Sequence, residues 1–317
     1  MRDAASAPAP PALRSYPGAR NLGVDRPSPG EPRGIGYLYI LPALIVYALF
    51  VLLPFGHSVL LSFYEWDGIT PGTFIGVQNY AELLTDPATR SAFGHSLVLI
   101  LFYSALPVLI GLLLAAAISR TQVRGLAWFR TILFLPQIVP LVVVAVMWRS
   151  IYAPATGPLN EGLRFIGLDS WARPWLGDFT WALPSVGLVG TWVQYGLCMV
   201  LFIAGVQKIP TSLYDAARVD GAGPLNEFLA VTLPNLRNEI AVALTLTIIA
   251  SLRNFDLVYL TTNGGPGNAT SVPAFEVYNR AFEINQVGSA AAIGVALAVI
   301  IFAITFLVNR LAEGDRP

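Results

Sequence analysis

Charged residues are scarce in this sequence: they occupy 12% of its 317 positions, while 55% are hydrophobic, and the mean hydropathy is +0.62. Soluble domains carry about a quarter charged residues. The composition therefore indicates a polytopic membrane protein and not a globular enzyme with a large core. The formal net charge is zero. Since nucleic-acid binding relies on excess positive charge, the composition offers no electrostatic case for a nucleic-acid partner.

Cysteine, lysine and histidine are nearly absent. The chain has a single cysteine, Cys198, which lies in an apolar segment. Because it is the only cysteine, an internal disulfide and a cysteine cluster for metal are excluded. The single lysine, Lys208, does not follow a glycine, so the chain cannot hold a G-x-x-x-x-G-K-[ST] phosphate loop. His57 and His95 have no ligand cluster around them, and we expect no metal site. If ATP drives this protein, we expect the nucleotide to bind a partner.

Six apolar stretches run through the chain, each about as long as the roughly 20 residues that a helix needs to cross a bilayer. They cover residues 37–63, 92–119, 129–149, 181–209, 240–260 and 288–309. The predicted fold is an all-α polytopic membrane protein with six transmembrane helices. The third stretch holds Pro136, Gln137 and Pro140. Because each proline frees a backbone carbonyl, we expect the freed carbonyls to find hydrogen-bond partners or to line a wet cavity.

Residues 1–34 precede the first span and are rich in proline, alanine and arginine. They contain almost no large apolar side chain, so we expect a disordered tail and not a cleaved secretory signal. If this tail is cytoplasmic, the inner segments hold 13 Lys and Arg residues and the outer segments hold 6. By the positive-inside rule, both termini are predicted to lie in the cytoplasm.

The one sizeable polar stretch in the second half of the chain is residues 212–237, between the fourth and fifth spans. Ser212 and Asp215 have nearly the spacing and chemistry of a capping box, with Asp in place of the usual Glu or Gln, and predict the start of a two-turn helix. Gly221 would end that helix in the left-handed conformation. Pro224 suits the first turn of a second short helix. The orientation places this two-helix loop in the cytoplasm.

The residues of this stretch resemble the EAA loop of permease subunits of binding-protein-dependent ABC importers. The matching positions are Asp215-Ala216-Ala217, Asp220-Gly221-Ala222, Phe228 and Leu233-Pro234. The sequence departs from the family pattern at Asp215, where Glu is usual, and at Asn238, where Pro is frequent. In the family this loop is a coupling helix that docks into a groove on the ATPase subunit. The resemblance implies a coupling loop over residues 212–237, with candidate ATPase contacts at Asp215, Ala216, Ala217, Asp220, Gly221 and Ala222.

A second motif follows the fifth span and resembles the sugar-class permeases of the maltose and glycerol-phosphate type. It reads Asn254-Phe255-Asp256-Leu257-Val258-Tyr259-Leu260-Thr261, then Gly264-Gly265-Pro266-Gly267, then Thr270. The resemblance extends over residues 34–309 and implies that residues 35–317 form a permease domain in the cell membrane. It also implies that Gly264, Gly265 and Pro266 contact an extracytoplasmic solute-binding protein.

In this family the importer assembles from two different permeases, two ATPases and one external binding protein. The chain holds one coupling loop and no obvious copy of it, so we expect a second, homologous permease subunit. The resemblance implies that the chain, surrounded by membrane lipid, forms the pathway for a sugar or related solute. It implies no enzymatic activity and no cofactor in this chain, because ATP and Mg²⁺ would bind the partner ATPases.

A sugar pathway needs hydrogen-bonding side chains and an aromatic face in an otherwise apolar wall. The candidates in the spans are Gln137, Trp192, Gln194, Tyr195 and Asn254. Polar residues in spans also tie helices together without touching a solute. Arg253 and Asp256 are expected on one helix face, either as a local pair or as part of an outer gate or binding-protein dock. Sugars, polyols and glycerol phosphate all stay open as solutes, and the lack of a mid-span arginine slightly favours a neutral sugar.

Two other functional classes compete with this interpretation. An ATP-independent secondary transporter or channel for a small polar solute is compatible with six spans, but the span centres hold essentially no ionisable residues for coupling ions. An intramembrane enzyme would need a nucleophile beside a base, or a histidine and carboxylate metal site. Both histidines lie near span ends without partners, which disfavours an enzyme.

Overall fold

The computed structural model describes residues 35–119 and 125–313, which are mostly helical, with loops between the helices and one small hairpin. The predicted tail of residues 1–34 lies outside the described residues, as do Arg120 and Arg124 of the charge count. The α-helices are α1 (Ile35–Tyr47), α2 (Leu53–Leu61), α3 (Gln78–Thr85), α4 (Pro87–Ile100), α5 (Leu106–Ser119), α6 (Leu126–Ile138), α7 (Leu141–Ile151), α8 (Pro158–Phe165), α9 (Ala182–Val206), α10 (Thr211–Val219), α11 (Pro224–Glu227), α12 (Leu233–Asn235), α13 (Arg237–Leu252), α14 (Asp256–Thr261), α15 (Pro273–Tyr278) and α16 (Val287–Glu313).

Short π-helical segments follow four of these helices; the first three segments continue into the next helix with a local bulge, and the fourth ends α15. They are Ala48–Leu52, Leu101–Ala105, Phe228–Thr232 and Asn279–Glu283. The hairpin pairs β1 (Tyr64–Glu65) with β2 (Thr73–Phe74) in antiparallel register, with Tyr64 opposite Phe74. The chain divides into a unit of residues 1–54 and a unit of residues 55–317. The described part of the first unit is α1, the π-helical segment after it and the start of α2.

Four helices in the described parts of the chain are long and apolar enough to cross a membrane. They are Tyr37–Leu61, Pro87–Ile118, Ala182–Val206 and Val287–Ala312, and they match the first, second, fourth and sixth predicted spans. A bent pair, α6 with α7, makes a possible fifth. The predicted fifth span is divided between α13, which has 16 residues, and the six-residue α14. Length and composition therefore support four or five crossings, and the six-span count stays a prediction.

The predicted third span is two helices that meet at an angle of 95°. Val139, the residue before Pro140, has the extended backbone angles φ −73° and ψ 130°. Proline disfavours helical geometry in the residue before it and offers no N–H of its own. The chain therefore leaves the helical path after Ile138 and starts a new helix at Leu141.

Helix α9 lies at the centre of the second unit and is the most buried of the four long helices. Its glycines allow this close packing. A β-carbon at Gly190 would lie 2.1 Å from the ring of Tyr103, and one at Gly196 would lie 2.7 Å from the carbonyl oxygen of Leu133. Small residues at helix interfaces let backbones approach closely in membrane proteins. This packing brings α9 beside α4, α5 and α6.

Candidate functional site

A cavity of about 460 Å³ lies where two helix breaks meet. One break separates α6 from α7, and the other separates α13 from α14. The lining residues are Tyr103, Gln137, Val139, Leu141, Gly190, Val193, Gln194, Leu246, Ile249, Ala250, Arg253, Asn254, Phe255, Asp256 and Leu257. Gln137, Val139 and Leu141 bring the proline-containing part of the third stretch, for which the sequence predicted partners or a wet cavity, to the wall of this cavity.

Three amide side chains bring unpaired polar atoms to this cavity. Gln137 Oε1, Gln194 Oε1 and Asn254 Nδ2 are buried, and none has a hydrogen-bond partner among the described residues. A buried polar atom without a partner costs free energy, so such atoms are usually paired with protein, water or a ligand. The three amides come from three separate parts of the chain, and all three residues line the cavity.

The other two predicted pathway residues lie away from the cavity. On α9 the lining positions are Gly190, Val193 and Gln194, which form one stripe at helical spacing. Trp192 lies off this stripe and packs edge-on against Trp148, with the ring centroids 5.7 Å apart. Tyr195 is half-buried and is likewise not among the lining residues. The fold therefore brings together three of the five predicted pathway side chains.

The expected pairing of Arg253 with Asp256 on one helix face is wrong. Helix α13 ends at Leu252, Arg253 has non-helical angles of φ −92° and ψ 8°, and α14 begins at Asp256. No ion pair joins the two side chains among the described residues. Both line the cavity, so an arginine does border the site although none was expected at mid-span. The sequence singled out these two residues, but it did not show the helix break that separates them.

Helix α10 is the first helix of the predicted coupling loop, and its start differs from the expectation. It begins at Thr211, with Pro210 in the N-cap position, and no side chain caps it. The predicted capping box of Ser212 and Asp215 is therefore wrong, because both residues lie inside the helix. Pro210 has φ −58° and ψ 132°, so the restricted proline backbone precedes the first helical residue.

The end of α10 follows the expectation at Gly221, which adopts the left-handed conformation with φ 79°. The Gly221 N–H donates to the Arg218 carbonyl at 3.0 Å, and the Ala222 N–H donates to the Ala217 carbonyl at 2.9 Å. This pair of bonds is a Schellman motif, which requires a left-handed residue at this position. The second helix begins at Pro224, as predicted.

Arg218 fastens the two short helices of the loop together. Its Nε donates to Glu227 Oε1 at 3.0 Å, and Glu227 is only 6% exposed. Arg218 also pairs with Asp215 at 3.4 Å, and the hydroxyls of Tyr214 and Thr232 lie 3.0 Å apart. These contacts make α10 and the segment after it one body. Among the predicted ATPase contacts, the exposed residues are Asp215, Ala216, Asp220 and Gly221, and the half-buried ones are Ala217 and Ala222.

The glycine-rich turn after α14 is folded against the rest of the unit. Gly264 has φ 78°, and a β-carbon on it would lie 2.6 Å from the ring of Phe275. The Thr270 hydroxyl donates to the Gly265 carbonyl at 2.7 Å. Gly264 is buried and Gly265 and Pro266 are half-buried, whereas Gly267 and Asn268 are exposed. The predicted binding-protein contacts Gly264, Gly265 and Pro266 are therefore packed within the turn. The exposed residues of the turn, Gly267 and Asn268, come one and two positions after them.

Comparison with known proteins links this architecture to membrane transport. The family described as "Binding-protein-dependent transport system inner membrane component" matches residues 107–314. The probable ABC transporter permease protein YurN of Bacillus subtilis is 38% identical over 275 residues, which are 86% of this chain and 94% of YurN. The diacetylchitobiose uptake system permease protein NgcF of Streptomyces coelicolor is 35% identical over 285 residues, which are 86% of this chain and 81% of NgcF.

A solved structure has the same fold. It is that of a bacterial alginate ABC transporter in complex with alginate pentasaccharide-bound periplasmic protein, and the TM-score is 0.76. The match covers 88% of this chain and 94% of that chain at 24% sequence identity.

Proposed function

The chain belongs to the family of binding-protein-dependent transport system inner membrane components and is a multi-pass membrane protein, and on that premise we propose that it forms the translocation pathway for a sugar. The observation that carries the proposal is the cavity with its three unpaired amides, Gln137, Gln194 and Asn254. NgcF is named for diacetylchitobiose uptake. That name and the sugar-class motif at residues 254–261 both favour a carbohydrate.

The cavity has the size and chemistry of a solute site. Its volume of about 460 Å³ lies within the range of about 300–1,000 Å³ typical of small-molecule pockets. An amide both donates and accepts hydrogen bonds, as does a sugar hydroxyl. Phe255 adds an aromatic ring to the wall, and Leu141, Val193 and Leu257 add apolar surface. We infer that the solute hydrogen-bonds to these amides during transport.

The two-helix loop is proposed to couple this pathway to ATP hydrolysis on partner subunits, which would hold the ATP and Mg²⁺. Its first helix carries two exposed apolar side chains, Leu213 at 43% and Val219 at 87%, and Val219 lies one turn along the helix from the exposed Asp215. A helix surface of this kind suits a protein groove, because the apolar residues gain burial and the carboxylate accepts charge-assisted hydrogen bonds. The Arg218 to Glu227 bond lets the loop move as one rigid body when the groove moves.

The remaining parts of the proposal concern topology and assembly. Residues 35–317 form the permease domain with six crossings, counting α6 with α7 as the third and α13 with α14 as the fifth. Both termini and the loop of residues 212–237 lie in the cytoplasm. The assembly adds a second permease, two ATPases and an extracytoplasmic binding protein that meets the turn around Gly264, Gly265 and Pro266. The exposed Gly267 and Asn268 extend that contact surface.

Two experiments test the proposal. Purification of the tagged chain from its native membrane in mild detergent should recover a second permease and an ATPase, identified by mass spectrometry. Proteoliposomes with the recovered complex and its binding protein should then take up radiolabelled diacetylchitobiose, maltose or lactose when ATP is enclosed. Recovery of the chain alone, together with uptake in liposomes that lack ATP, would overturn the importer and favour a secondary carrier.

A further inference from the structure

The two ends of the two-helix loop are packed against each other. Helix α9 leads into the loop and ends at Val206, and α13 leads out of it and begins at Arg237. Leu236, the residue before α13, lies against Gly205 in the last turn of α9. A β-carbon on Gly205 would come 2.5 Å from Leu236 Cδ2 and 2.8 Å from Glu239 Cγ. We call Gly205, Lys208, Leu236 and Glu239 the loop base.

Leu236 is the most buried side chain of the loop base. It is 1% exposed and belongs to a hydrophobic cluster with Met199, Phe202 and Ile203 of α9. Its backbone angles of φ −87° and ψ 4° depart from those of an α-helix, and its carbonyl accepts the Ile240 N–H at 2.8 Å. Leu236 is therefore the joint between the loop and α13, and its side chain packs on α9.

An ion pair adds a polar contact to the loop base. Lys208 Nζ donates to Glu239 Oε1 at 3.0 Å, and the two side chains are 74% and 18% exposed. Glu239 lies in the first turn of α13. An exposed ion pair contributes little by itself, so the apolar contact of Leu236 with Gly205 is the stronger link between the two helices.

Core packing explains why Leu236 is buried, but it does not explain the position of this side chain at a joint. Hinges in proteins are usually a few residues at the ends of elements, where the backbone angles can change. Here both ends of the loop are packed. Leu236 closes the second end, and at the first end Ile209 is buried and its N–H donates to the Val206 carbonyl at 3.1 Å. The loop therefore lacks a free hinge at either end.

The two helices that meet at the loop base also reach the cavity. The lining residues on them are Gly190, Val193 and Gln194 of α9 and Leu246, Ile249 and Ala250 of α13. By the rise per residue of an α-helix, Gln194 lies about 16 Å from Gly205, and Ile249 lies about 20 Å from Leu236. Because packed protein interiors are hardly compressible and transmit strain, a displacement at the loop base reaches two walls of the cavity.

We propose that Leu236, packed on Gly205, is a positioning residue that makes the loop, α9 and α13 move as one unit. The proposal rests on the proposed coupling role of the loop and identifies the place where movement of the loop enters the pathway. Without this contact, the joint before α13 bends and absorbs the movement. ATP hydrolysis on the partner subunits then continues while transport falls.

The ratio of solute taken up to ATP hydrolysed tests this role, because a merely structural residue would lower both quantities together. Both are measured in the same proteoliposomes, with the complete importer, saturating binding protein and enclosed ATP. The probe is whichever of radiolabelled diacetylchitobiose, maltose and lactose the wild type takes up. Leu236→Ala should lower the ratio by about fivefold, within the range by which changes along a packed network alter coupling. Leu236→Met conserves the volume of the side chain and should keep the wild-type ratio.

Leu83→Ala is the matched control, since Leu83 is a buried leucine of α3 in a separate cluster with Ala292 and Ile293. It should lower the unfolding temperature and leave the ratio unchanged. If Leu236→Ala does not fold, Leu236→Val decides the result, because it shortens the side chain by one carbon and should lower the ratio by about threefold.

Two results would overturn the positioning role alone. One is a wild-type ratio in folded Leu236→Ala, or in Leu236→Val if the alanine variant does not fold. The other is an equal fall of the ratio in Leu83→Ala, which would show that any loss of core packing has this effect. Absence of ATP-dependent uptake of all three sugars by wild type would instead overturn the proposed function.

Discussion

Arg280 binds the carboxylate of Asp86 and so joins segments that are 194 residues apart in the chain. The two side chains are 11% and 30% exposed. The same guanidinium donates to Thr89 Oγ1 at 2.6 Å and to Ser289 Oγ at 2.7 Å. Arg280 therefore ties the start of α4 to the start of α16, two of the helices long enough to cross the membrane.

Loss of the Arg280 ion pair and its hydrogen bonds should destabilise the fold. We expect Arg280→Met to lower the free energy of unfolding by about 2 kcal/mol, less than for a fully buried pair because Asp86 keeps some access to water. Thermal unfolding of the purified chain in detergent measures the effect. Arg164→Met is the control, since Arg164 is exposed and donates to backbone carbonyls of Pro154 and Ala155. Equal losses in both variants would contradict the prediction.

The contribution of Asp86 to stability should depend on pH. Hydrogen bonds from the Thr89 side chain, from the Ala88 and Thr89 amides and from Arg280 hold the pKa of Asp86 below its ordinary value of 3.8. Folding therefore favours the ionised form, and the added stability is fully present above pH 3.8 and is lost as the pH falls through the lower folded-state value.

Unfolding temperatures of wild type and Asp86→Asn in detergent test this pH dependence. The advantage of wild type should be larger at pH 6 than at pH 3. An advantage of the same size at both values would show that the carboxylate charge plays no part.

The cavity amides should matter for transport and little for stability. Gln194→Leu and Asn254→Leu remove atoms that have no partner among the described residues, so the unfolding temperature should stay the same or rise. Uptake should fall by about tenfold, because a lost hydrogen bond to the solute is worth roughly 1.5 kcal/mol.

Trp192→Phe is the matched control for the amides, since it alters the same helix away from the cavity lining. It should transport at the wild-type rate. A parallel fall of uptake and unfolding temperature in the amide variants would indicate that they tie helices together and do not contact the solute.

Coupling should fail when the exposed face or the end of α10 is altered. Asp215→Lys reverses a charge on that face, and Gly221→Pro removes the N–H that donates to Arg218 and forces φ away from 79°. We expect expression near normal and no ATP-dependent uptake in either variant.

The control for coupling is Asp169→Lys, a charge reversal in the short 3₁₀ turn after α8, far along the chain from the loop. It should transport normally. Wild-type uptake in Asp215→Lys would remove the case for α10 as the coupling helix.

Features set by neighbouring residues could be predicted well. Four long apolar stretches form long helices because their length and composition suffice for a bilayer crossing. Gly221 ends α10 and Pro224 begins α11, since each residue restricts or frees its own backbone. The start of α10 was predicted wrongly because Pro210 and Ser212, two residues apart, both favour the start of a helix. Pro210 occupies the position before the first helical residue, and Ser212 lies inside the helix.

The amino-acid sequence by itself determined the membrane class, the two short helices within residues 212–237 and the polar residues available for a pathway, because these depend on composition and local order. Only the tertiary structure decided that Gln137, Gln194 and Asn254 meet in one cavity while Trp192 packs elsewhere. It also decided that Arg253 borders that cavity. The physical reason is that helix packing decides which faces of distant segments meet, through close contacts such as that of Gly190 with Tyr103. These contacts cannot be predicted from any local sequence pattern.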